Sequence, residues 1–342
     1  MKMLSKVIEE NLNYILKSKS INWDLLKDKT IFITGATGLI GSTLINALLY
    51  DGSIKVIALV RDEDKAKVCL INSDKLKLIP GSIESIPNID DDINYIVHGA
   101  SPTQSSYFVQ NPVETIKTNI IGTINTLELA KRKNVISYVY LSSMEAYGSN
   151  TSDNLLSEDK ESVIGSYEVR NSYPISKIAA ENLCVDYFNE YNVSAKIVRL
   201  AQTFGPGVKY DDTRVFAEFA RCVIGNKNIV LKTKGETKRT YCHVSDAVIG
   251  ILTVLLNGKN GEIYNVVNNS TFCSIKEMAD IVAKDVANGT IKVIIDEDKN
   301  ALKKFMKPHS YNLDEKKIGA LGFNAKKMLK DMFADMIDNM GE

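Results

Sequence analysis

The chain has 342 residues, with 42 Lys plus Arg against 42 Asp plus Glu, 44% hydrophobic and 25% charged residues. This is globular composition, long enough for about two domains, and it excludes disorder over the bulk of the chain. The zero formal charge argues against a protein that binds nucleic acid by neutralising phosphates, which brings a basic excess or stripe.

Residues 1–29 read as a helical extension, because Leu4, Val7, Ile8, Leu12 and Ile15 recur at helical spacing. Acidic residues stand where a secretory signal would be apolar, so no signal is expected. A buried-strand pattern at 30–34 leads through a glycine-rich turn into an apolar helix at 39–50 and a second strand at 55–60. The alternation continues with a strand at 94–98, a helix at 113–131, a strand at 136–142, a helix at 174–191 and a strand at 195–200. Apolar strands alternating with helices predict an α/β fold, a doubly wound parallel sheet covered on both faces. Ligands of such sheets sit at the carboxyl ends of the strands.

After Leu200 the pattern loosens at Gly205-Pro206-Gly207. Residues 205–342 mix strands at 229–231, 263–267 and 291–295 with helices at 215–224, 275–287 and 325–339. They are expected to form mainly a smaller substrate-binding lobe on a dinucleotide-binding unit spanning 30–204, with returns to that unit near 240–268. The longest nearly apolar run, residues 247–256, is about half of the ~20 residues a membrane helix needs, so no membrane span is expected. Cys69, Cys184, Cys222, Cys242 and Cys273 are odd in number and form no CxxC pair. They fit reduced thiols of a cytoplasmic protein, and no metal site is expected.

Gly35-Ala-Thr37-Gly38-Leu39-Ile40-Gly41 follows a strand and opens a helix, the setting that gives a glycine motif meaning. Small residues allow a tight turn and close approach of a diphosphate, to which the helix supplies amides and a positive dipole end. At the end of the second strand Val60 stands where an acid would grip a ribose hydroxyl, and Arg61 follows. A guanidinium there suits a 2′-phosphate and so favours NADP, although Asp62 leaves NAD open. Tyr173-Pro-Ile-Ser-Lys177 sets a phenol and an ammonium at i and i+4 on one helix face, with Ser142-Ser143 ending the strand about thirty residues earlier. A hydroxyl, a phenol and a cation in that register suit proton exchange with a substrate oxygen.

Together these segments resemble the extended short-chain dehydrogenase/reductase family, the NAD(P)-dependent nucleotide-sugar epimerases and dehydratases. The matching residues are Thr34 to Gly41, Val97-His-Gly-Ala100, Asn119-Ile-Ile-Gly-Thr123, Leu141 to Gly148, Tyr173 to Lys177, Arg199 to Gly207 and Arg239 to Asp246. The resemblance implies a Rossmann-type sheet and a catalytic set of Ser143, Tyr173 and Lys177, with Glu145 as a further base. It also implies Ala100, Asn119 and Lys177 at the cofactor. Gln202, Arg214 and Arg239 would lie at a nucleotide-activated sugar whose C4 exchanges a hydride with the nicotinamide. A homodimer through the helices at 113–131 and 174–191 is implied too.

Departures bear on the reaction. Met144 replaces the acid that 4,6-dehydratases use and the serine that UDP-glucuronate decarboxylases have, and a thioether donates no proton. Gln202 stands where many relatives have Asn, and Ser82 where an acid often contacts adenine. Dehydratase or decarboxylase action stays an alternative to C4 oxidation or epimerisation. So does an NADPH-dependent carbonyl reductase without a nucleotide substrate, although Arg239 and Gly205-Pro-Gly207 speak for the nucleotide-sugar branch. A non-catalytic dinucleotide sensor would usually have lost the Tyr/Lys pair. His98, His243 and His309 lack metal-like spacing, and Cys242 reads as a packed strand residue.

Overall fold

The computed structural model describes residues 5–165, 167–297 and 309–341. Ser5 caps the first helix, α1 (Lys6–Leu16), by accepting from the Ile8 amide, and the helix buries Val7, Asn11, Leu12 and Ile15. Leu4 of the apolar stripe lies outside the described residues. The extension is bolted to the body by polar contacts as well as by its stripe. Asn11 donates to Asp335 at 3.0 Å and accepts from Ser245 at 2.9 Å, and the Tyr14 hydroxyl donates to Asp246 at 2.6 Å.

The main sheet is built from β1 (Thr30–Thr34), β2 (Lys55–Val60), β3 (Leu76–Pro80), β4 (Tyr95–His98), β5 (Ser137–Ser143), β7 (Ala195–Leu200) and β11 (Ile263–Val266). Their order is β11-β7-β5-β4-β1-β2-β3 and every pairing is parallel. The chain turns both ways from β1, so the order reverses between β1 and β4, and the ligand crevice of such sheets opens at that point. One face is covered by α1, α2 (Leu39–Asp51) and α8 (Val244–Asn257), the other by α5 (Pro112–Lys133) and α6 (Ser172–Tyr191). The short helix α3 (Glu63–Cys69) and the edge strand β3 carry too little apolar periodicity to stand out in the sequence. Only Ala66 is buried in α3.

A second sheet joins β6 (Leu155–Leu156), β8 (Gln202–Phe204), β10 (Lys238–His243), β12 (Asn268–Ser274) and β14 (Ser310–Leu313), with β10 at its centre. The stretch around 240–268 is therefore divided, β10 lying in the second sheet and α8 and β11 packing into the first unit. Helix α7 (Val215–Ile224), helix α9 (Ile275–Ile281), the pair β9 (Ile229–Leu231) with β13 (Val293–Ile295), and a C-terminal helix (Leu329–Met340) share a separate apolar cluster. Two neighbours on α2 divide their loyalties: Leu39 packs against this cluster and Ile40 against the main core. The N-terminus of α2 thus sits where the two cores meet.

Two helix limits differ from the periodicity. The helix expected over 275–287 is α-helical only to Ile281 and widens into a π-turn at Val282–Val286. The helix expected from 325 starts at Leu329, because the Lys326 and Lys327 amides donate to the buried Asp246 carboxylate at 3.2 and 3.0 Å.

Candidate active site

Strand β1 ends at the switch point and runs into Gly35, whose φ is +74°. A Cβ there would lie 2.6 Å from the Gly99 carbonyl, and one on Gly41 would lie 2.2 Å from the Gly35 oxygen. Neither position has room for a side chain. Gly38 caps α2, and a Cβ on it would meet only the Gly35 oxygen, at 3.3 Å. The space before the first amides of α2 is open, with half-buried Thr37, Leu39 and Ile40 around it. Free amides, a positive dipole end and a side-chain-free turn fit the diphosphate of a dinucleotide.

The side chain that holds this cradle stands just before the first glycine. Buried Thr34 accepts from the Gly99 amide at 3.2 Å and the Ala100 amide at 3.1 Å, and shares a hydrogen with His98 Nδ1 at 2.7 Å. With both lone pairs used, the threonine hydroxyl donates to Nδ1, so the His98 proton sits on Nε2. Burial, then the nearby Lys177, pushes the His98 imidazole down to about 3, so it is neutral. Arg61, past the end of β2, is exposed and joins no ion pair among the described residues. Its neighbour Asp62 is engaged, capping α3 through the Lys65 amide at 2.9 Å.

The strand pleat separates the two serines at the end of β5. Ser142 donates to Glu181, while Ser143 accepts from the Glu145 amide at 3.2 Å and faces the Tyr173 phenol. Tyr173 is 7% exposed, stacks on Phe108 with ring centroids 4.2 Å apart, and also meets Ser101. Burial raises its phenol well above 10, with Glu145 adding to the rise and Ser143, Arg170 and Ser101 opposing it. One turn on, Lys177 Nζ lies 5.6 Å from the Tyr173 ring centroid and donates to the Leu141 carbonyl at 2.8 Å. Burial brings this ammonium down to about 7, against the pull of Glu181. Asn119, on α5, reaches under α6 to donate to Ser176 at 2.8 Å, leaving its carbonyl oxygen buried without a partner among the described residues.

Glu145 lies in the turn after Ser143, paired with Arg170 at 2.7 Å. Met144 between them is 4% exposed and packs into the main core. In the second sheet Arg239 donates to Gln202 at 3.2 Å and meets His309 at 2.8 Å, so two of the expected substrate residues are brought together. Arg214, the N-cap of α7, is instead clasped by Asp212 through both Nε and Nη2. Among the described residues no three metal-ligating side chains cluster and no helix is long and apolar enough to cross a membrane.

A glycine cradle at the switch point of a parallel sheet, with a serine, a tyrosine and a lysine gathered at a neighbouring strand end, is the build of a dinucleotide-dependent enzyme. Residues 31–267 match the NAD dependent epimerase/dehydratase family, and the chain belongs to that family. It is 32% identical over 270 residues to UDP-glucuronic acid decarboxylase 5 of Arabidopsis thaliana, covering 77% of this chain and 76% of that one. UDP-glucose 4-epimerase of Thermotoga maritima shares the fold with a TM-score of 0.77 at 21% identity, covering 91% of this chain and 98% of that one. UDP-glucuronic acid 4-epimerase of Bacillus cereus, solved with UDP-glucuronic acid and NAD, does so with a TM-score of 0.76 at 21% identity, covering 91% and 99%.

Proposed function

We propose that the chain is an NAD(P)-dependent nucleotide-sugar oxidoreductase or epimerase acting at C4 of the sugar. The observation that carries this reading is the meeting of Ser143, Tyr173 and Lys177 at the end of β5, beside the cradle made by Gly35, Gly38 and Gly41. A dinucleotide bound there supplies a hydride acceptor for the C4 carbon. Tyr173 exchanges the proton of the C4 hydroxyl, and Ser143 holds the same oxygen. Lys177 serves the nicotinamide ribose and the tyrosine, and the Arg239–Gln202 pair receives the nucleotide sugar. Arg214 flanks the nucleotide.

The similarity to a UDP-glucuronic acid decarboxylase favours a second reading, in which the 4-keto sugar is a uronate that loses carbon dioxide. Buried Met144 supports the first, because a thioether, which donates no proton, stands where those decarboxylases have a serine. Exposed Arg61, with Asp62 occupied as a cap, supports admission of NADP besides NAD. Free thiols at all five cysteines support a cytoplasmic setting. The apolar Val113 and Ile116 exposed on α5 support a homodimer, and light scattering at the mass of one chain would remove it.

The test is incubation with UDP-, GDP-, CDP- and dTDP-sugars and either cofactor, with product analysis. Tyr173→Phe should bind cofactor normally and lose turnover on every sugar; unchanged turnover overturns the catalytic assignment. Arg61→Ala should weaken NADP(H) binding and spare NAD(H). Equal losses for both would sink the role given to Arg61.

A further inference from the structure

Arg170 belongs to no motif, yet it stands in the catalytic cleft. The turn Val169–Asn171 leads directly into α6, and Arg170 Nη2 donates to Glu145 Oε2 at 2.7 Å with the two side chains 17% and 24% exposed. The guanidinium carbon lies 5.0 Å from the centroid of the Phe108 ring, which stacks on Tyr173. Its Nε is buried with no hydrogen-bond partner among the described residues. Arg170, Phe108 and Tyr173 therefore form one packed stack, edged by a single carboxylate.

Each group facing Tyr173 has a separate part in its ionisation. Ser143 and Ser101 lie at the phenol and favour its ionised form, and neutral His98 faces Lys177 from β4. Glu145 disfavours phenolate and Arg170 favours it. Lys177 faces the ring but is held on the Leu141 carbonyl, and burial brings it to about 7. Across the range where a phenol ionises a guanidinium keeps its proton. Arg170 is thus a lasting cation at the Glu145 carboxylate and on the Phe108 ring that stacks on Tyr173.

We propose that Arg170 is a positioning residue for the proton exchange: it fixes Glu145 in the cleft, offsets that carboxylate's charge, and with it sets the pH at which Tyr173 works. The inference rests on Tyr173 being the acid–base group under the proposed function. Removing the guanidinium leaves Glu145 unopposed and makes the phenol harder to ionise. Removing the Glu145 charge does the reverse.

The experiment is the pH profile of kcat/KM for sugar oxidation in Arg170→Met, Arg170→Lys, Glu145→Gln and the double variant, beside the unaltered enzyme. NMR titration of isotope-labelled tyrosines without cofactor, with the Tyr173 signal assigned through Tyr173→Phe, reads the phenol directly. Arg170→Met should move the rising limb and the Tyr173 titration upward by about one pH unit, as loss of one close charge does. Glu145→Gln should move both downward, Arg170→Lys should restore most of the shift, and the double variant should lie between. If Arg170→Met does not fold, the downward shift in Glu145→Gln and the titration of Arg170→Lys decide the matter. Unmoved titrations with an inactive Tyr173→Phe overturn the role of Arg170 and leave the proposed function standing. Turnover surviving in Tyr173→Phe overturns the proposed function itself.

Discussion

Thr34 ties the end of one strand to the loop after another. Its hydroxyl serves the Gly99 and Ala100 amides and His98 at once, and Gly35 packs directly against that loop. Thr34→Val takes the hydroxyl from the Ala100 amide and from buried His98, while the Gly99 amide keeps the Thr34 carbonyl, at about 1–3 kcal/mol where a group stays unsatisfied. The expected outcome is a lower unfolding temperature and weaker NAD(H) binding by titration calorimetry, whereas unchanged binding would show that the loop holds its shape unaided. The glycines of this cradle were legible in the sequence because a tight turn is a local demand. Thr34 was not, because its partners lie 64 to 66 residues along the chain.

Helix α6 places Tyr173 and Lys177 on one face by spacing alone, but spacing does not aim that face. Aim comes two turns beyond Tyr173, where Glu181 accepts from Arg199 Nε at 3.0 Å and Nη2 at 2.7 Å and also from Ser142. Both partners of the ion pair have side chains 5% exposed, and the guanidinium lies over the Tyr147 ring at 4.4 Å. One helix, two strands and the turn carrying Glu145 are thereby locked together. Glu181→Gln leaves a buried arginine uncompensated, and breaking such a pair costs about 3–5 kcal/mol. Urea unfolding should show a loss of that order; a loss below about 1 kcal/mol would mean the pair is idle. The start of the C-terminal helix teaches the same lesson, since its apolar period reached 325 while Asp246 took the backbone amides that would have begun it.

At the scale of the whole molecule Asp335 joins three distant segments. It accepts from Asn11 of the extension at 3.0 Å and from Lys327 at 2.6 Å, and lies 3.3 Å from His243 Nε2 at the end of β10. Gly205 packs on that histidine, and Asn339 of the same C-terminal helix accepts from the Gly207 amide at 2.6 Å. The extension thus reaches the break between the sheets. Burial alone would raise the Asp335 carboxyl, but the hydrogen bonds from Lys327 and Asn11 and the nearby His243 overcome it and hold the group far below 3.8. On acidification the unfolded chain takes up this proton first, so the stabilisation is complete above about 3.8 and drains as the pH falls below it. Asp335→Asn should flatten that part of the pH–stability curve, and an unaltered slope would place the acid sensitivity elsewhere. By itself the sequence determined what depends on near neighbours: the strand and helix periods, the glycine turn, the Tyr173–Lys177 spacing and the family. The tertiary structure alone decided which far residues hold these in place, Thr34 with His98, Glu181 with Arg199, Arg170 with Glu145 and Asn11 with Asp335. A hydrogen bond or ion pair across the fold needs one donor and one acceptor at the right distance, and it leaves no period in the chain for a reader to find.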